Sequence, residues 1–440
     1  MTPYPAYKTT DLPWLPRIPE HWDVLKIKYA FKERVEKGYP TEPLLAATQN
    51  HGVIPKSLYE TRTVTAQKDL HLLKLVRIGD FVISLRSFQG GIEYAYYQGI
   101  ISPAYTVMIP DSPKLNPQFF KYLAKSKTMI KLLQTCVTGI REGQNIDYET
   151  LKRNSIPIPS LAEQEQIVRY LNSMTAKINK LIRAKKKQIK TKRELLELYL
   201  FSEKGDKTLL GQWDSSFPAT WKKQKASRIF CERNAKGFKD KLLLAVTQNL
   251  GVVYKKDCSQ RFVQPRDVAT QKLVCPYDFV ISLRAFQGGI EISFVEGVVS
   301  PAYSVFYMRE ESILLETYFQ YLFKSPYFVN YLNSLVCDIR DGKKISFDDF
   351  EDTELPIPPQ SHLVMIKRLA DELDILNKRL NDLTTLLQEY KTSLISSVVT
   401  GQIDVRNISV EDVIPDDLIP EDDPTSEIEE EPTTSEESEE

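Results

Sequence analysis

The feature that most constrains this chain is an internal repeat with a period near 200 residues. Trp14 and Trp22 recur 199 positions later, and the segment at residues 81–93, FVISLRSFQGGIE, returns at residues 279–291 with a single difference. A solenoid unit repeats every roughly 20–50 residues, so this period is too long for one. The chain is therefore a duplicated domain pair, a design suited to gripping a target that itself has two similar parts.

Composition places the chain among soluble globular proteins. Of its 440 residues, 42% are hydrophobic and 27% are charged, which is ordinary for that class. No apolar run approaches the ~18 residues of a membrane span. The five cysteines lack C-x-x-C spacing, and none coincides with another under the repeat offset. We therefore expect free thiols in a reducing cytosol rather than a disulfide or zinc framework.

The net charge of −1 conceals a strong asymmetry. Residues 411–440 hold fifteen Asp or Glu and no Lys or Arg, so residues 1–410 carry 44 acids against 58 bases, or +14. A basic body suggests a polyanionic partner, although a merely solvated surface is the simpler alternative. The acidic segment cannot bury a core and is predicted to be a disordered, solubilising tail.

Each repeat is predicted to begin with a β-rich section. Residues 81–87 alternate as a strand, and Gly90-Gly91 then supplies a turn from which residues 92–97 run back as the second arm of a hairpin. Residues 102–109 form a further strand, and residues 156–159, Ile-Pro-Ile-Pro, an extended segment. Asn116 and Pro117 open a short helix through Lys125, as a cap and a first-turn residue. The matching helix of the second copy is predicted at residues 316–323.

Each repeat ends in one long predicted helix. In the second copy a 3-4-3-4 spacing typical of a coiled-coil seam is followed by Ile366, Leu369, Leu373, Leu376, Leu380, Leu383, Leu387, Tyr390 and Leu394. The first copy keeps Ile167, Met174, Leu181 and Leu195 at matching places, or alternatively follows Ile167, Leu171, Met174, Ile178 and Leu181. About 40 helical residues at 1.5 Å each span roughly 60 Å.

The two predicted helices can pair with each other. The linker at residues 201–212 is too short to return along a 60 Å rod, which favours an antiparallel pair over a parallel one. The alternative is that each helix packs only on its own globular section.

The chemistry of an enzyme is missing from the sequence. No two glycines stand one residue apart, which removes a G-x-G cofactor loop, and the four histidines do not cluster. Residues 116–119, Asn-Pro-Gln-Phe, faintly resemble the Asn-Pro-Pro-Phe/Tyr site of adenine methyltransferases. The counterpart at residues 316–319 keeps none of the first three residues, and helix capping explains the first copy. The chain is predicted to be non-catalytic.

Duplicated polar groups suit nucleic acid instead. Arg86 and Gln89, with their copies Arg284 and Gln287, flank a Gly-Gly turn that lets backbone approach a ligand closely. Arg pairs with guanine and Gln with adenine, and either binds phosphate. Further candidates at repeated places are Gln49, Asn50, Gln248, Asn249, Arg141, Gln144, Arg340 and Lys343. The alternative is structural: the glycines serve the turn, and Arg86 forms an internal salt bridge.

Two segments at corresponding places share almost nothing except positive charge. Residues 56–68 carry Lys56, Arg62 and Lys68, and residues 255–266 carry Lys255, Lys256, Arg261 and Arg266. A common scaffold with divergent basic segments is what two readers of different base sequences require. The shared residues then hold the frame or contact phosphates, and the divergent residues choose bases.

Together these features resemble the specificity subunit of type I restriction-modification systems, over nearly the whole chain up to Arg406. Four motifs carry the resemblance: Ile-Pro-Glu-His-Trp at residues 18–22, the repeated segment beginning at residues 81 and 279, Ile-Pro-Ile-Pro before Glu163-Gln164, and Thr-Gly-Gln-Ile-Asp-Val-Arg at residues 400–406. The second copy departs from the pattern, because residues 361–363 read Ser-His-Leu where residues 162–164 read Ala-Glu-Gln.

The resemblance implies an α+β fold with two β-rich target recognition domains and two long antiparallel coiled-coil helices related by pseudo-two-fold symmetry. The implied boundaries are recognition domains at 1–159 and 204–358, spacer helices at 160–203 and 359–406, and an acidic tail at 407–440. Each recognition domain would read one half of a bipartite site on double-stranded DNA, while the helices set the gap.

The resemblance also implies partners. The helices would dock two methylation subunits, and two restriction subunits would join them, in the bacterial or archaeal cytoplasm. The chain itself would bind no cofactor, because S-adenosylmethionine belongs to the methylation subunits. The competing hypothesis is a non-enzymatic coiled-coil scaffold whose β-domains bind protein, followed by a self-sufficient DNA methyltransferase, which the missing cofactor loop disfavours.

Overall fold

The computed structural model describes residues 2–49, 51–58, 69–85, 87–139, 145–202, 213, 217–248, 251–258, 267–282, 289–335 and 345–410. The chain divides into two compact units. The first combines residues up to Lys185 with those from Leu380 onward, and the second comprises Lys186–Arg379. Each unit therefore holds one copy of the repeat and a segment of both long helices. Residues 411–440 of the predicted acidic tail lie outside the described residues, whereas Ile408 and Val410, which belong to the predicted tail, pack against the core of the first unit.

The first unit is built on a four-stranded antiparallel sheet flanked by two-stranded ladders. Its strands are β1 (Tyr7–Thr9), β2 (Arg17–Pro19), β3 (Asp23–Lys26), β4 (Phe31–Arg34), β5 (Leu45–Thr48), β6 (Gly52–Pro55), β7 (Lys74–Val76), β8 (Phe81–Ile83), β9 (Glu93–Tyr94), β10 (Gly99–Ile101), β11 (Thr106–Pro110), β12 (Val137–Thr138), β13 (Asn145–Ile146) and β14 (Ser155–Ile158). The sheet order is β4–β11–β8–β9, and the ladders are β1–β2, β3–β14, β5–β6, β7–β10 and β12–β13.

Helices cover this sheet on one face. They are α1 (Ile27–Ala30), α2 (Ser87–Gly90), α3 (Pro117–Ala124), α4 (Lys127–Thr135), α5 (Tyr148–Leu151) and the first long helix, α6 (Leu161–Tyr199). The prediction for α3 is confirmed: the Asn116 side chain accepts a hydrogen bond from the Gln118 amide at 2.9 Å, and Pro117 occupies the first turn. The sequence therefore encodes this helix locally, through its cap.

Strand β8 shows why the central sheet is buried on both faces. Phe81 and Ile83 belong to a core that includes Phe120, whereas Val82 belongs to a second core that includes Val107. The alternation predicted for residues 81–87 is therefore right for the first three residues, after which the strand ends. The predicted hairpin is confirmed, and Gly91 has the predicted positive φ, at 90°, but the short helix α2 was not predicted. β8 pairs with β9, and α2 forms part of the connection.

The second unit repeats this plan. Its strands are β15 (Lys222–Lys225), β16 (Phe230–Glu232), β17 (Leu244–Thr247), β18 (Gly251–Tyr254), β19 (Lys272–Val274), β20 (Phe279–Ile281), β21 (Glu291–Ile292), β22 (Gly297–Val299), β23 (Ser304–Met308) and β24 (Glu354–Ile357). The sheet order is β16–β23–β20–β21, with ladders β15–β24, β17–β18 and β19–β22. Phe230 and Phe279 pack at a ring-centroid distance of 5.5 Å, so an aromatic core lies on one face of the sheet.

The helices of the second unit follow the same order. They are α7 (Ala226–Ile229), α8 (Ile313–Leu322), α9 (Pro326–Leu335), α10 (Phe347–Glu351) and the second long helix, α11 (Gln360–Val399). Helix α8 begins three residues earlier than predicted, because Ser312 accepts a hydrogen bond from the Leu315 amide and caps it. The sequence prediction overlooked this cap.

Segments of the two long helices pack against each other within each unit, which confirms the predicted antiparallel pair. In the first unit Ile167 and Leu171, near the start of α6, share a core with Leu394 and Val398, near the end of α11. In the second unit, Lys192 of α6 forms an ion pair with Glu372 of α11. In the same unit, a ring nitrogen of His362 lies 2.7 Å from the carbonyl oxygen of Tyr199.

The buried seam differs from the predicted one in detail. No residue between 374 and 393 is buried, and Leu181, Leu195 and Tyr390 are about 40% exposed. Leu196, rather than Leu195, is fully buried. The buried residues of α11 therefore lie toward its two ends, and its middle leaves apolar side chains partly open to solvent, whereas α6 also buries Ile178 and Ile189.

Three of the motifs that carry the resemblance pack together around one buried carboxylate in the first unit. They lie at residues 18–22, 163–164 and 400–406. Glu163 accepts hydrogen bonds from the Trp22 indole at 3.0 Å and the Tyr4 hydroxyl at 2.7 Å, and a ring nitrogen of His21 lies 2.9 Å from its other oxygen. A methyl group at Gly401, just after α11, would lie 3.3 Å from the Trp22 ring. The N-terminal motif, the start of α6 and the motif after α11 are thus packed together.

The departure of the second copy from this pattern has a structural reason. His362 replaces the carboxylate, packs 5.1 Å from the Trp221 ring and meets the Tyr199 carbonyl instead. Gln164 is fully buried, and its side-chain amide donates to the Lys114 and Pro159 carbonyls. The corresponding Leu363 is also buried, but its apolar side chain needs no hydrogen-bond partner.

A repeated ion pair fixes the turn that leads into the central strand of each sheet. Arg34 donates to Asp80 at 2.8 and 3.1 Å, and Arg233 donates to Asp278 at 2.7 and 3.1 Å. The residue before each aspartate has a left-handed backbone. In the first unit it is a glycine, and in the second it is Tyr277, with φ of 68°. A bulky side chain in this region is strained.

Tyr277→Gly is predicted to raise the free energy of unfolding by about 1 kcal/mol, because removing the left-handed strain outweighs the added flexibility of glycine. Urea unfolding of the full chain measures the change. The matched variant is Gly79→Ala, which should lower the free energy of unfolding by a similar amount. No atom lies within 4 Å of the added methyl group, so its effect is conformational alone. Stability changes of the same sign in both variants would contradict the strain argument.

Candidate functional site

The tip of one hairpin in each unit presents an exposed glutamine. Between β5 and β6, Thr48 donates to the Gly52 carbonyl at 2.9 Å and accepts from the His51 amide at 3.1 Å. Between β17 and β18, Thr247 makes the matching bond to the Gly251 carbonyl at 3.1 Å. The threonine of each Thr-Gln-Asn motif therefore shapes the tip, which leaves the amides of Gln49 and Gln248 exposed.

In the first unit this tip packs directly against the helical turn that carries the repeated motif. A methyl group at Gly90 would lie 2.7 Å from the Gln49 side chain, which would have to shift to make room for it. Gln89 is the preceding residue and is exposed. The two candidate amides thus lie on neighbouring turns, as expected if both face the same ligand.

A lysine ties these turns together in the first unit. Lys125, at the end of α3, donates to the Gln49 carbonyl at 2.9 Å, to the Gly90 carbonyl at 3.0 Å and to the buried carboxylate of Glu93. Beside it, Gly91 has φ of 90°, and a methyl group there would lie 2.3 Å from the Ala124 carbonyl oxygen. The turn and the helix end are therefore in backbone contact.

The second unit repeats the arrangement. Lys324 donates to the Gln248 carbonyl at 3.2 Å and to the buried Glu291. A methyl group at Gly289 would lie 2.1 Å from the Phe323 carbonyl oxygen. Burial raises the pKa of Glu291, and the Lys324 ammonium opposes that rise. The same cation, carboxylate and tip carbonyl thus recur in both units.

Sequence reasoning did not select the two lysines. They stand 199 positions apart, each followed by a serine that caps the next helix, at Ser126 and Ser325. The repeat offset could have identified them. Their partners, however, lie more than 30 residues away in sequence, so no local pattern showed what they contact.

The basic residues predicted beyond the hairpins lie at the end of each hairpin opposite the tip. Lys56 directly follows β6 and is half-buried, and Lys255 directly follows β18. Burial lowers the pKa of Lys255, and the exposed Lys256 lies 5.4 Å from the Tyr254 ring. The structure does not bring these lysines to the tips, and their predicted part in binding stays a prediction.

Most of the remaining candidates lie outside the described residues. They are Asn50, Arg62, Arg86, Arg141, Gln144, Asn249, Arg261, Arg266, Arg284, Gln287, Arg340 and Lys343. Lys68 lies outside them as well. The proposed roles of these residues, including the internal salt bridge considered for Arg86, stay predictions.

The part of the chain that the structure describes offers little for metal or membrane chemistry. It contains no group of three or more His, Cys, Asp or Glu placed to hold a metal ion. Its cysteines, Cys136, Cys231, Cys258 and Cys275, are free, as predicted. Among its helices, none has the length and apolar content needed to cross a bilayer.

Known proteins resemble this chain over most of its length. Residues 22–191 match the family model described as the type I restriction modification DNA specificity domain. The chain is 22% identical over 431 residues to the putative type I restriction enzyme MjaX specificity subunit of Methanocaldococcus jannaschii, covering 88% of this chain and 95% of that protein. It is 23% identical over 439 residues to the type I restriction enzyme MjaVIII specificity subunit of the same organism, covering 89% and 95%.

A solved structure shares the fold. It comes from work on the complex assembly and conformational transition of the type I R-M system. It superposes with a TM-score of 0.55 at 15% identity, covering 88% of this chain and 99% of that one.

The adjacent glycines Gly90 and Gly91 are predicted to tolerate an added methyl group differently. Gly91→Ala should lower the free energy of unfolding by about 2 kcal/mol or more, because the left-handed backbone and the Ala124 carbonyl both oppose it. Gly90→Ala should change it by less than ~0.5 kcal/mol, because only the flexible Gln49 side chain must move. Urea unfolding of both variants tests this. Equal losses would show that the Gly90 contact is as rigid as the Gly91 contact.

Proposed function

We propose that this chain, which is similar to type I restriction-modification specificity subunits over most of its length, is the non-catalytic member of such a complex and reads DNA sequence. Each unit reads one half of a bipartite site on double-stranded DNA. The observation that carries this proposal is the repeated frame. In both units the carbonyl of the hairpin-tip glutamine accepts a hydrogen bond from a lysine at a helix end, and the same lysine pairs with a buried glutamate.

The exposed amides on this frame are the groups that would contact bases. Gln49 and Gln89 in the first unit, and Gln248 in the second, are uncharged and present both a donor and an acceptor. That combination suits the adenine edge in the major groove, and the neighbouring arginines of the motif would add contacts to guanine or phosphate. The divergent segments after β6 and β18 would account for differences between the two half-sites.

The long helices would set the gap and dock the partners. The middle of α11 exposes Ile375 and Leu386, which are 52% and 67% open to solvent, and such side chains supply an apolar surface for another subunit. We propose two methylation subunits, which bring S-adenosylmethionine, and two restriction subunits. The chain would bind no cofactor itself and would work in the cytoplasm, where the DNA is.

Salt-dependent DNA binding is the direct test of this function. The affinity of the full chain for a fluorescent duplex, measured by anisotropy, should fall steeply between 50 and 200 mM salt, because phosphate contacts release counterions.

In a host carrying the gene, methylome sequencing should show a bipartite site whose half-sites are related and approach an inverted repeat, because the two recognition units are so alike.

Other outcomes would count against the proposal in different ways. Unrelated half-sites would contradict the inverted-repeat expectation alone. A chain that binds no duplex at any salt concentration, but binds a protein partner through its β-rich sections, would be the scaffold of the competing hypothesis.

A change in helix length should change the gap between half-sites. Inserting four residues near Leu380 adds about one helical turn, or ~6 Å, and should lengthen the unspecified gap while leaving both half-sites unchanged. Methylome sequencing measures both. The control keeps the original length and substitutes alanine at four exposed residues of the same region, Asn381, Asp382, Thr385 and Gln388, and it should keep the original gap. An unchanged gap after insertion would contradict the ruler role of the helices.

A further inference from the structure

Each unit contains a lysine whose ammonium group faces inward, toward backbone carbonyls. In the first unit the three partners of Lys125 are the Gln49 carbonyl, the Gly90 carbonyl and the Glu93 carboxylate. An ammonium group has three N–H donors. All three are therefore occupied inside the protein, which leaves none for a phosphate oxygen or a base edge.

The partners of this lysine belong to separate parts of the fold. The Gln49 carbonyl lies at the β5–β6 tip, the Gly90 carbonyl ends α2, and Glu93 opens β9, while the lysine itself follows α3. One side chain thus fixes the distance between the two turns that carry the exposed glutamines. Glu93 is only 2% exposed, so the lysine also balances a charge that burial would otherwise make costly.

The second unit shows the same contacts at corresponding positions. Lys324 donates to the Gln248 carbonyl and to Glu291, which is 7% exposed. The glycine that would supply the third partner, a backbone carbonyl, lies outside the described residues. The contacts of each lysine within the described residues are to its own unit, so each frame is set separately.

We propose that Lys125 and Lys324 are positioning residues for DNA recognition. Lys125 sets the spacing of the two turns that carry Gln49 and Gln89, Lys324 fixes the Gln248 tip relative to Glu291, and each thereby sets the selectivity for one half-site. This inference rests on the proposed function. It concerns residues that do not contact DNA, so it differs from the general expectation that lysines in a DNA-binding protein neutralise phosphates.

The buried arginine pairs provide a matched comparison. Arg34 with Asp80 is also a repeated buried ion pair, but it holds β4 to the turn before β8, away from the tip. Arg34→Gln should therefore lower stability without changing half-site selectivity. Lys125→Met, in contrast, should reduce the selectivity for one half-site and leave the selectivity for the other unchanged.

The experiment compares the wild-type full chain with Lys125→Met, Lys324→Met and Arg34→Gln. The probes are duplexes carrying the site found in the host methylome, and the same duplexes with one half-site replaced. For each half-site, selectivity is the affinity for the duplex with the full site divided by the affinity for the duplex in which that half-site is replaced. Lys125→Met should lower one ratio at least tenfold and leave the other unchanged, and Lys324→Met should do the reverse.

Two further readouts separate positioning from phosphate contact and from loss of folding. The slope of log affinity against log salt should stay unchanged in Lys125→Met, whereas loss of a phosphate contact would reduce it by about 1. If Lys125→Met does not fold, the double variant Lys125→Met with Glu93→Gln removes both charges together. Its melting temperature should be close to that of the wild type. It should show the same loss of selectivity for one half-site as Lys125→Met, and faster amide hydrogen exchange at residues 48–52.

The outcomes distinguish this proposal from the one it rests on. Unchanged ratios, equal loss at both half-sites, a slope reduced by about 1, or the same loss of selectivity in Arg34→Gln would each overturn the positioning role. A wild-type chain that does not discriminate either half-site would instead overturn the proposed function, and the positioning role with it.

Discussion

The structure depends on the burial of apolar side chains from the ends of both long helices inside the two units. Ile167 and Leu171 enter the core of the first unit from α6, and Leu394 and Val398 enter the same core from α11. Each such side chain contributes roughly 1.5–3 kcal/mol when fully buried. An isolated amphipathic helix is marginal in water, because its stability comes mostly from packing. The helices and the β-rich sections therefore stabilise one another.

Each unit combines repeated ion pairs with segments whose sequence differs between the two units. Two buried ion pairs, one made by arginine and one by lysine, recur at matching positions and hold the sheet, the turns and the helix end in place. The segments after β6 and β18 share almost no sequence, yet they leave the same kind of hairpin. The sequence can therefore diverge after these hairpins without disturbing the frame.

The sequence predicted those parts of the fold that are encoded locally or by the repeat. Asn116 and Pro117 identify the start of α3, and the apolar spacing identifies both long helices. The hairpin of β8 and β9 was predicted correctly, but the short helix Ser87–Gly90 inside its connection was not, because a Gly-Gly pair permits a turn without revealing a helix before it. Leu195 was placed in the seam instead of Leu196, because helical periodicity alone does not tell which neighbour faces the core.

The candidate site was predictable only in part, for a similar reason. The exposed glutamines were found because they are duplicated and polar. Lys125 was missed because its partners, Gln49 and Glu93, become neighbours only after folding. Composition shows that a lysine is present, but only the tertiary structure shows that its ammonium points inward.

The discontinuity of the first unit affects the order in which the chain is made. Its sequence begins at the N-terminus, yet its core needs Leu394 and Val398, and the Thr2 carbonyl accepts a hydrogen bond from the Asp404 amide. The second unit is one uninterrupted stretch and can be complete earlier. At 5–20 residues per second, translating the ~210 residues from Lys185 to Leu394 takes roughly 10–40 seconds. The core of the first unit is incomplete throughout that interval, so a premature stop between Arg379 and Leu394 damages the N-terminal unit rather than the one synthesised after it.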